Sequence, residues 1–225
     1  MKAIIFDAST LISFAMNGLF DEIEKLKKIF DGKFIITKEV KKEVIDKPLN
    51  IKKFELEALR LKKLYDAKVL ESPASFQVND GEISRKTEEL LNFANNSFQA
   101  NGKNIKIVDL GEISCIALSK ILTEKGIQNI IAVDERTMRM LGEKPENLGK
   151  LLEKKLHTRV SPNRKNFDVF KGLKFIRSTE LIYVAYKKGL IDIKDDKLLD
   201  ALLYSMKFKG AAVSGEEIEE IKRLK

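Results

Sequence analysis

With one histidine (His157) and one cysteine (Cys115) in 225 residues, the chain holds little material for a Ser-His-Asp triad or a zinc site built on nitrogen and sulfur. Carboxylates must therefore carry any chemistry. Asp7 closes the apolar run Ala3-Ile4-Ile5-Phe6 and opens Asp7-Ala8-Ser9; Asp134-Glu135 closes Asn129-Ile130-Ile131-Ala132-Val133 in the same way. Asp109-Leu110-Gly111-Glu112 stands at the head of a helical pattern, and Glu43 lies in a short helical stretch after Lys33-Phe34-Ile35-Ile36. Taken singly, each acid has a bland role: Asp109 and Glu112 have capping-box spacing, Asp134 suits a helix cap, and Glu43 suits a solvated face. Taken together they are different. Carboxylates within ~4–6 Å of each other raise one another's pKa unless a cation holds them ionised, and a set of hard oxygen donors selects Mg²⁺ or Mn²⁺.

The elements that must position these acids follow from periodicity. Short β-favouring runs at residues 2–6, 33–36 and 129–133, with weaker candidates at 68–70 and 105–108, read as strands. Between them Leu11 to Ala15 and Leu19 to Phe30, two patterns broken around Asn17-Gly18, then Lys38 to Ile45, Ile51 to Tyr65, Glu82 to Phe93 and Leu110 to Glu124 have helical spacing, with Asn92, Asn95, Asn96, Gln99 and Asn101 marking a polar loop. Alternating strands and helices with non-alternating apolar strands predict an α/β fold, three-layer α/β/α around a central parallel sheet. In such a sheet ligands gather at the carboxyl edge of the strands, where Asp7 and Asp134 would emerge. Residues 1–160 are expected to form this domain and residues 161–225 a helical C-terminal extension packed on it, with helices at Ser178 to Lys188, Asp195 to Phe208 and Gly215 to Leu224.

A hydrophobic content of 44% supports a sizeable core, and the formal charge of +8 favours an anionic partner such as nucleic acid. A lone cysteine excludes an intramolecular disulfide and suits a reducing compartment. Asp7 comes too early for a secretory leader, and the uncharged run Ala8 to Phe20 is shorter than the ~20 residues that cross a bilayer, so no membrane partner and a cytoplasmic location are expected.

The ordered set Asp7 and Ser9, Glu43, Gly111 and Glu112, then Asp134, Glu135 and Arg139 resembles the PIN-domain ribonucleases over roughly residues 1–142. The resemblance implies a Mg²⁺- or Mn²⁺-dependent endoribonuclease with Asp7, Glu43, Glu112 and Asp134 as metal-binding, catalytic acids. It gives Ser9 the task of orienting Asp7 or a bound water, and makes Asp109, Glu135 and Arg139 supporting residues. Glu39, one helical turn from Glu43, is its rival as ligand. Many PIN proteins are toxins, so the resemblance also brings an antitoxin protein and a homodimer as candidate partners beside RNA. Two rivals stand next to the nuclease. One is a non-catalytic RNA-binding protein that keeps the fold. The other is a phosphatase of the haloacid-dehalogenase type, which would need aspartate where Ser9 stands.

The charge is concentrated. Lys150, Lys154, Lys155, Arg159, Arg164, Lys165, Lys171, Lys174 and Arg177 face only Glu153 and Asp168 between residues 150 and 177. Interleaved Phe167, Phe170 and Phe175 suit single-stranded nucleic acid, where cations meet phosphates and rings stack on bases. The same pattern fits a solvated basic loop whose phenylalanines are core. Lys41 and Lys42 beside Glu43 are further candidates for phosphate contacts.

Overall fold

The structure is a computed structural model and describes residues 1–224. Its strands are β1 (Lys2–Phe6), β2 (Lys33–Ile35), β3 (Phe98–Ala100), β4 (Lys103–Asn104), β5 (Gln128–Ala132), β6 (Val160–Pro162) and β7 (Phe175–Ile176). Its helices are α1 (Ala8–Met16), α2 (Phe20–Ile29), α3 (Lys38–Lys41), α4 (Glu55–Asp66), α5 (Asp80–Asn95), α6 (Leu110–Glu124), α7 (Arg136–Glu143), α8 (Pro145–Leu156), α9 (Ser178–Lys187), α10 (Leu198–Phe208) and α11 (Gly215–Lys222). Four strands form a parallel sheet in the order β2-β1-β5-β7. Ile4 stands opposite Phe34 on one side and Ile130 on the other, so β1 is central. Ile5, Ile131 and Ala132 are fully buried, as the unbroken apolar runs require of strands covered on both faces.

Helix α6 lies against β1 and β5 and carries α5 on its outer side, while α9 packs on α1, α2 and α10. Local chemistry sets the helix starts: Asp7 caps α1, Thr37 caps α3, Asn79 caps α5, and Pro145 occupies the first turn of α8, where its missing N–H costs nothing. No helix among the described residues is long and apolar enough to cross a membrane.

Several expectations are corrected. Residues 68–70 form no strand, because Lys68 turns the chain with φ 61° and only Glu71 bridges to Ile35. Residues 105–108 join no strand ladder; Ile107 and Val108 are buried, so their apolar character reports burial rather than strand pairing. The polar stretch before them contains a hairpin. Ala100 pairs with Lys103 across Asn101-Gly102, both with positive φ, as two-residue primed turns demand. Residues 136–156, given no element from sequence, form α7 and α8.

The segment after residue 160 is more than a helical extension. β6 joins β3 and β4 in a small antiparallel sheet, and β7 extends the main sheet as a parallel partner of β5. Strands of two or three residues leave too short a pattern to read in sequence. Tertiary pairing creates them.

Candidate active site

The chain leaves β1 toward β2 on one side, and β5 leads to β7 on the other. The strand order therefore reverses between β1 and β5, and the crevice beyond their carboxyl ends is where open α/β sheets bind ligands. Asp7 N continues the ladder with a 2.9 Å bond to Ala132 O. The Asp7 carboxyl accepts bonds from Ser9 N (2.9 Å) and Ser9 Oγ (2.6 Å), and the same hydroxyl accepts from Asp134 N (3.0 Å). Ser9 thus ties the ends of the two central strands together.

One helical turn on, Ser13 Oγ donates to Asp134 Oδ2, and Ser178 N donates to Asp134 Oδ1 at 2.8 Å. Asp134 is fully buried, so both its oxygens serve to join β5, α1 and the start of α9.

Glu43 lies on a single π-helical turn, Lys42–Asp46, that continues α3. Such a turn redirects side chains and is frequent at functional sites. Its carboxyl rests on the first turn of α6, where a Cβ at position 111 would stand 2.8 Å from Glu43 Oε2. Glycine leaves that space with the carboxyl in place. Thr37 Oγ1 and Ser114 Oγ hydrogen-bond at 2.7 Å, and Ser114 Oγ donates to Gly111 O at 2.6 Å, so buried hydroxyls fix α3 against α6. Glu112 Oε2 accepts from Asp109 N at 2.7 Å.

The electrostatics of the cluster are unbalanced. Burial pushes the Glu112 carboxyl up to about 8; the Asp109 N–H opposes this, and the Asp7, Glu135 and Asp109 carboxylates add to it. Burial also raises Asp7, against the two Ser9 bonds, with Asp134 adding to the shift. Glu43 is raised by burial, then by Asp7 and Asp109, with Lys47 opposing. Among the described residues no lysine or arginine forms an ion pair with Asp7, Glu43, Glu112 or Asp134.

Two clefts flank this cluster. One, of about 610 Å³, is lined by Lys38, Glu39, Lys42, Glu43, Lys47 and Asp109. The other, of about 300 Å³, is lined by Lys106, Asp109, Glu112, Glu135, Thr137 and Lys155. Glu39 therefore shares a cleft with Glu43, but Glu43 is the one that reaches Gly111 and couples to Asp7.

The donor set is all oxygen and its charge is uncompensated, which suits a hard divalent cation. Its arrangement is open. Among the described residues no group of three or more His, Cys, Asp or Glu side chains stands ready to hold one ion. A cation would have to draw the carboxyls inward.

The supporting residues are spread more widely. Glu135 caps α7 by accepting from Met138 N (3.0 Å) while lining the second cleft, and Asp109 is exposed and paired with Lys106. Arg139 forms no ion pair with the acids and instead holds the C-terminal segment: Nη2 donates to Ala212 O at 3.1 Å, and Nε is buried without a partner. Of the eight basic candidates after Leu148, Lys155 lines an acid cleft, Lys150 and Lys154 share its helix, and Lys171 pairs with Asp168. Phe167 and Phe170 are buried, and Phe167 stacks on Phe98 with centroids 5.4 Å apart, so these rings are core and not a base-stacking platform.

Sequence reasoning missed Ser13 and Ser178. Ser13 was findable as the residue one turn from Ser9 on the same helix face. Ser178 had no local signal, because β7 brings it to Asp134. The fold and its edge define an α/β protein with an acid cluster at the switch point of a parallel sheet. No protein-family model, curated protein or solved structure matches the chain, so its activity must be argued from these atoms.

Proposed function

We propose that the chain is a PIN-like, metal-dependent endoribonuclease that hydrolyses RNA phosphodiester bonds. The observation that carries this reading is the trio Asp7, Glu43 and Glu112: three carboxyls at one sheet edge, each raised by burial and by neighbouring acids, with no ion-pair partner among the described residues. A protein that keeps such a cluster bears an electrostatic cost that a bound cation removes. Mg²⁺ or Mn²⁺ held there would activate a water and neutralise charge on the phosphodiester.

The chain's own groups supply the rest. Ser9 orients Asp7, and Gly111 admits Glu43 to the first turn of α6. Lys38, Lys42 and Lys47 on one side and Lys106 and Lys155 on the other provide cations for a phosphate backbone that crosses the acids. Ser9, which a dehalogenase-type phosphatase would need as aspartate, instead bridges Asp7 and Asp134.

A second reading, an RNA-binding protein without turnover, is favoured by one observation: both Asp134 oxygens are taken by Ser13 and Ser178. Cleavage of end-labelled RNA in Mn²⁺, Mg²⁺ or chelator separates the two. The nuclease reading expects metal-dependent cutting that Asp7→Asn and Glu112→Gln abolish. RNA binding without cutting at any metal concentration would sink it and leave the second reading.

A further inference from the structure

Two stretches far apart in the chain meet in the small antiparallel sheet β4-β3-β6, and both are basic. Residues 96–109 and 150–166 carry eight lysines and arginines. Their only acids are Asp109, paired with Lys106, and Glu153, whose Oε1 accepts from Val160 N at 3.1 Å. Among the described residues Lys103, Lys154, Lys155, Arg159, Arg164 and Lys165 form no ion pair, and all six are exposed. Cations that the protein's own acids leave unmatched are open to an anionic partner.

One face of this sheet is interior and the other is polar. Phe98 is fully buried, stacks on Phe167 and lies against α8, where a Cβ at Gly149 would stand 3.3 Å from its ring. Side chains alternate along a strand, so Gln99 lies on the opposite face. There it stands between Asn104 on β4 and Ser161 on β6, and all three are exposed. Gln99 Nε2 donates to Asn104 Oδ1 at 2.8 Å and Asn104 Nδ2 donates to Asn96, which fixes a row of amides at the surface. Arg159 precedes β6. Arg164 and Lys165 follow it on a turn that Asn166 Nδ2 anchors to Phe93 O (3.2 Å) and Asn96 O (3.0 Å).

The chemistry of that face distinguishes between forms of RNA. Single strands are held by stacking bases on exposed aromatic rings, and here Phe98, Phe167 and Phe170 belong to the core. Double-helical RNA is recognised by its shape, through phosphates and 2′-hydroxyls that meet cations, amides and hydroxyls. Those are the groups this face presents.

We infer that the β4-β3-β6 sheet, with the cations beside it, is a platform for the backbone of double-helical RNA. Its location gives it a use. The chain runs from β4 into Lys106 and Asp109, and Lys106 and Lys155 line one cleft with Glu112 and Glu135. A stem seated on the sheet presents the strand at its end to the acids, a point that rests on the nuclease reading above.

The test uses the full chain in chelator, so that binding is read without turnover. Fluorescence anisotropy would compare a labelled RNA duplex of about 16 base pairs, the span of a double-stranded-RNA-binding domain, with one of its strands and with the DNA duplex of the same sequence. The RNA duplex is expected to bind roughly tenfold tighter than either, because only it offers phosphates and 2′-hydroxyls in a fixed helical array. A second RNA duplex of unrelated sequence should bind equally well, since no base is read. The triple variant Lys103→Ala, Arg159→Ala, Lys165→Ala removes exposed, unpaired charges and should melt at the wild-type temperature. Its duplex affinity should fall less steeply with salt, the slope of log affinity against log salt shrinking by about 3. A single strand or a DNA duplex bound as tightly as the RNA duplex, or a variant that keeps the wild-type slope, would overturn the platform. Incubating a stem-loop RNA with Mn²⁺ separates the two claims. Cutting by a protein with no duplex preference removes the platform alone, whereas duplex-selective binding with no cutting removes the nuclease and leaves the platform standing.

Discussion

Glu112 concentrates the electrostatic tension of the site, and its titration can be followed without any substrate. Its folded pKa of about 8 lies above the ordinary 4.5, so ionising it costs the folded state. The stability it contributes is fully present below about pH 4.5 and is lost as pH rises through about 8. Asp7 and Glu43 are raised as well and push in the same direction. Thermal unfolding in chelator should therefore show a melting temperature that falls between pH 5 and pH 8.5, and Glu112→Gln should flatten that fall. Mn²⁺ should raise the wild-type melting temperature at pH 8 far more than at pH 5, where protons already neutralise the cluster. A wild-type profile with the same pH dependence as the variant would show that Glu112 is ionised at its ordinary pKa.

At the level of elements, the site depends on how closely the π-helical turn approaches α6. Gly111 is the point of contact: an added Cβ would meet Glu43 Oε2 at 2.8 Å, and the far end of a flexible side chain can swing away. Gly111→Ala should therefore leave the unfolding midpoint almost unchanged while displacing the Glu43 carboxyl. The expected loss is about 10–100-fold in Mn²⁺ affinity by calorimetry, the scale of misplacing a metal's supporting shell. Affinity equal to wild type would mean that Glu43 is not a ligand, and would return Glu39, which lines the same cleft, to first place. The clefts on either side of α6 carry lysines from three separate regions of the chain, which is why no single basic run in the sequence marked them.

For the whole molecule, the decisive contact is the one between β5 and β7. The strand Phe175–Ile176 closes the sheet beside β5, and the next turn brings Ser178 N to Asp134 Oδ1 while Ala212 N bonds Asp134 O. The C-terminal third therefore helps to build the sheet edge on which the acids stand. A fragment of residues 1–160 would lose β7, α9 and two partners of Asp134, Ser178 N at its buried carboxylate and Ala212 N at its main-chain oxygen, which leaves Asp134 with unmet hydrogen bonds in the core. Such a fragment is expected to lack a cooperative unfolding transition by circular dichroism and to give poorly dispersed NMR spectra. A well-dispersed, cooperatively unfolding fragment would restore a domain boundary at residue 160.

The sequence by itself determined the α/β class, the strands β1, β2 and β5 of the main sheet, the helix α6 with its acidic start, and the positions of Asp7 and Asp134 at strand ends. These follow from local rules, because apolar runs, helical periodicity and caps act over a few residues. Only the tertiary structure decided which acids share one environment, that Asp134 spends both oxygens on Ser13 and Ser178, and that Phe167 and Phe170 are core. It also decided that residues after 160 complete the sheet. The physical reason is common to all four: burial, ion pairing and strand pairing depend on neighbours far apart in the chain, and a pattern of a few residues carries no record of them.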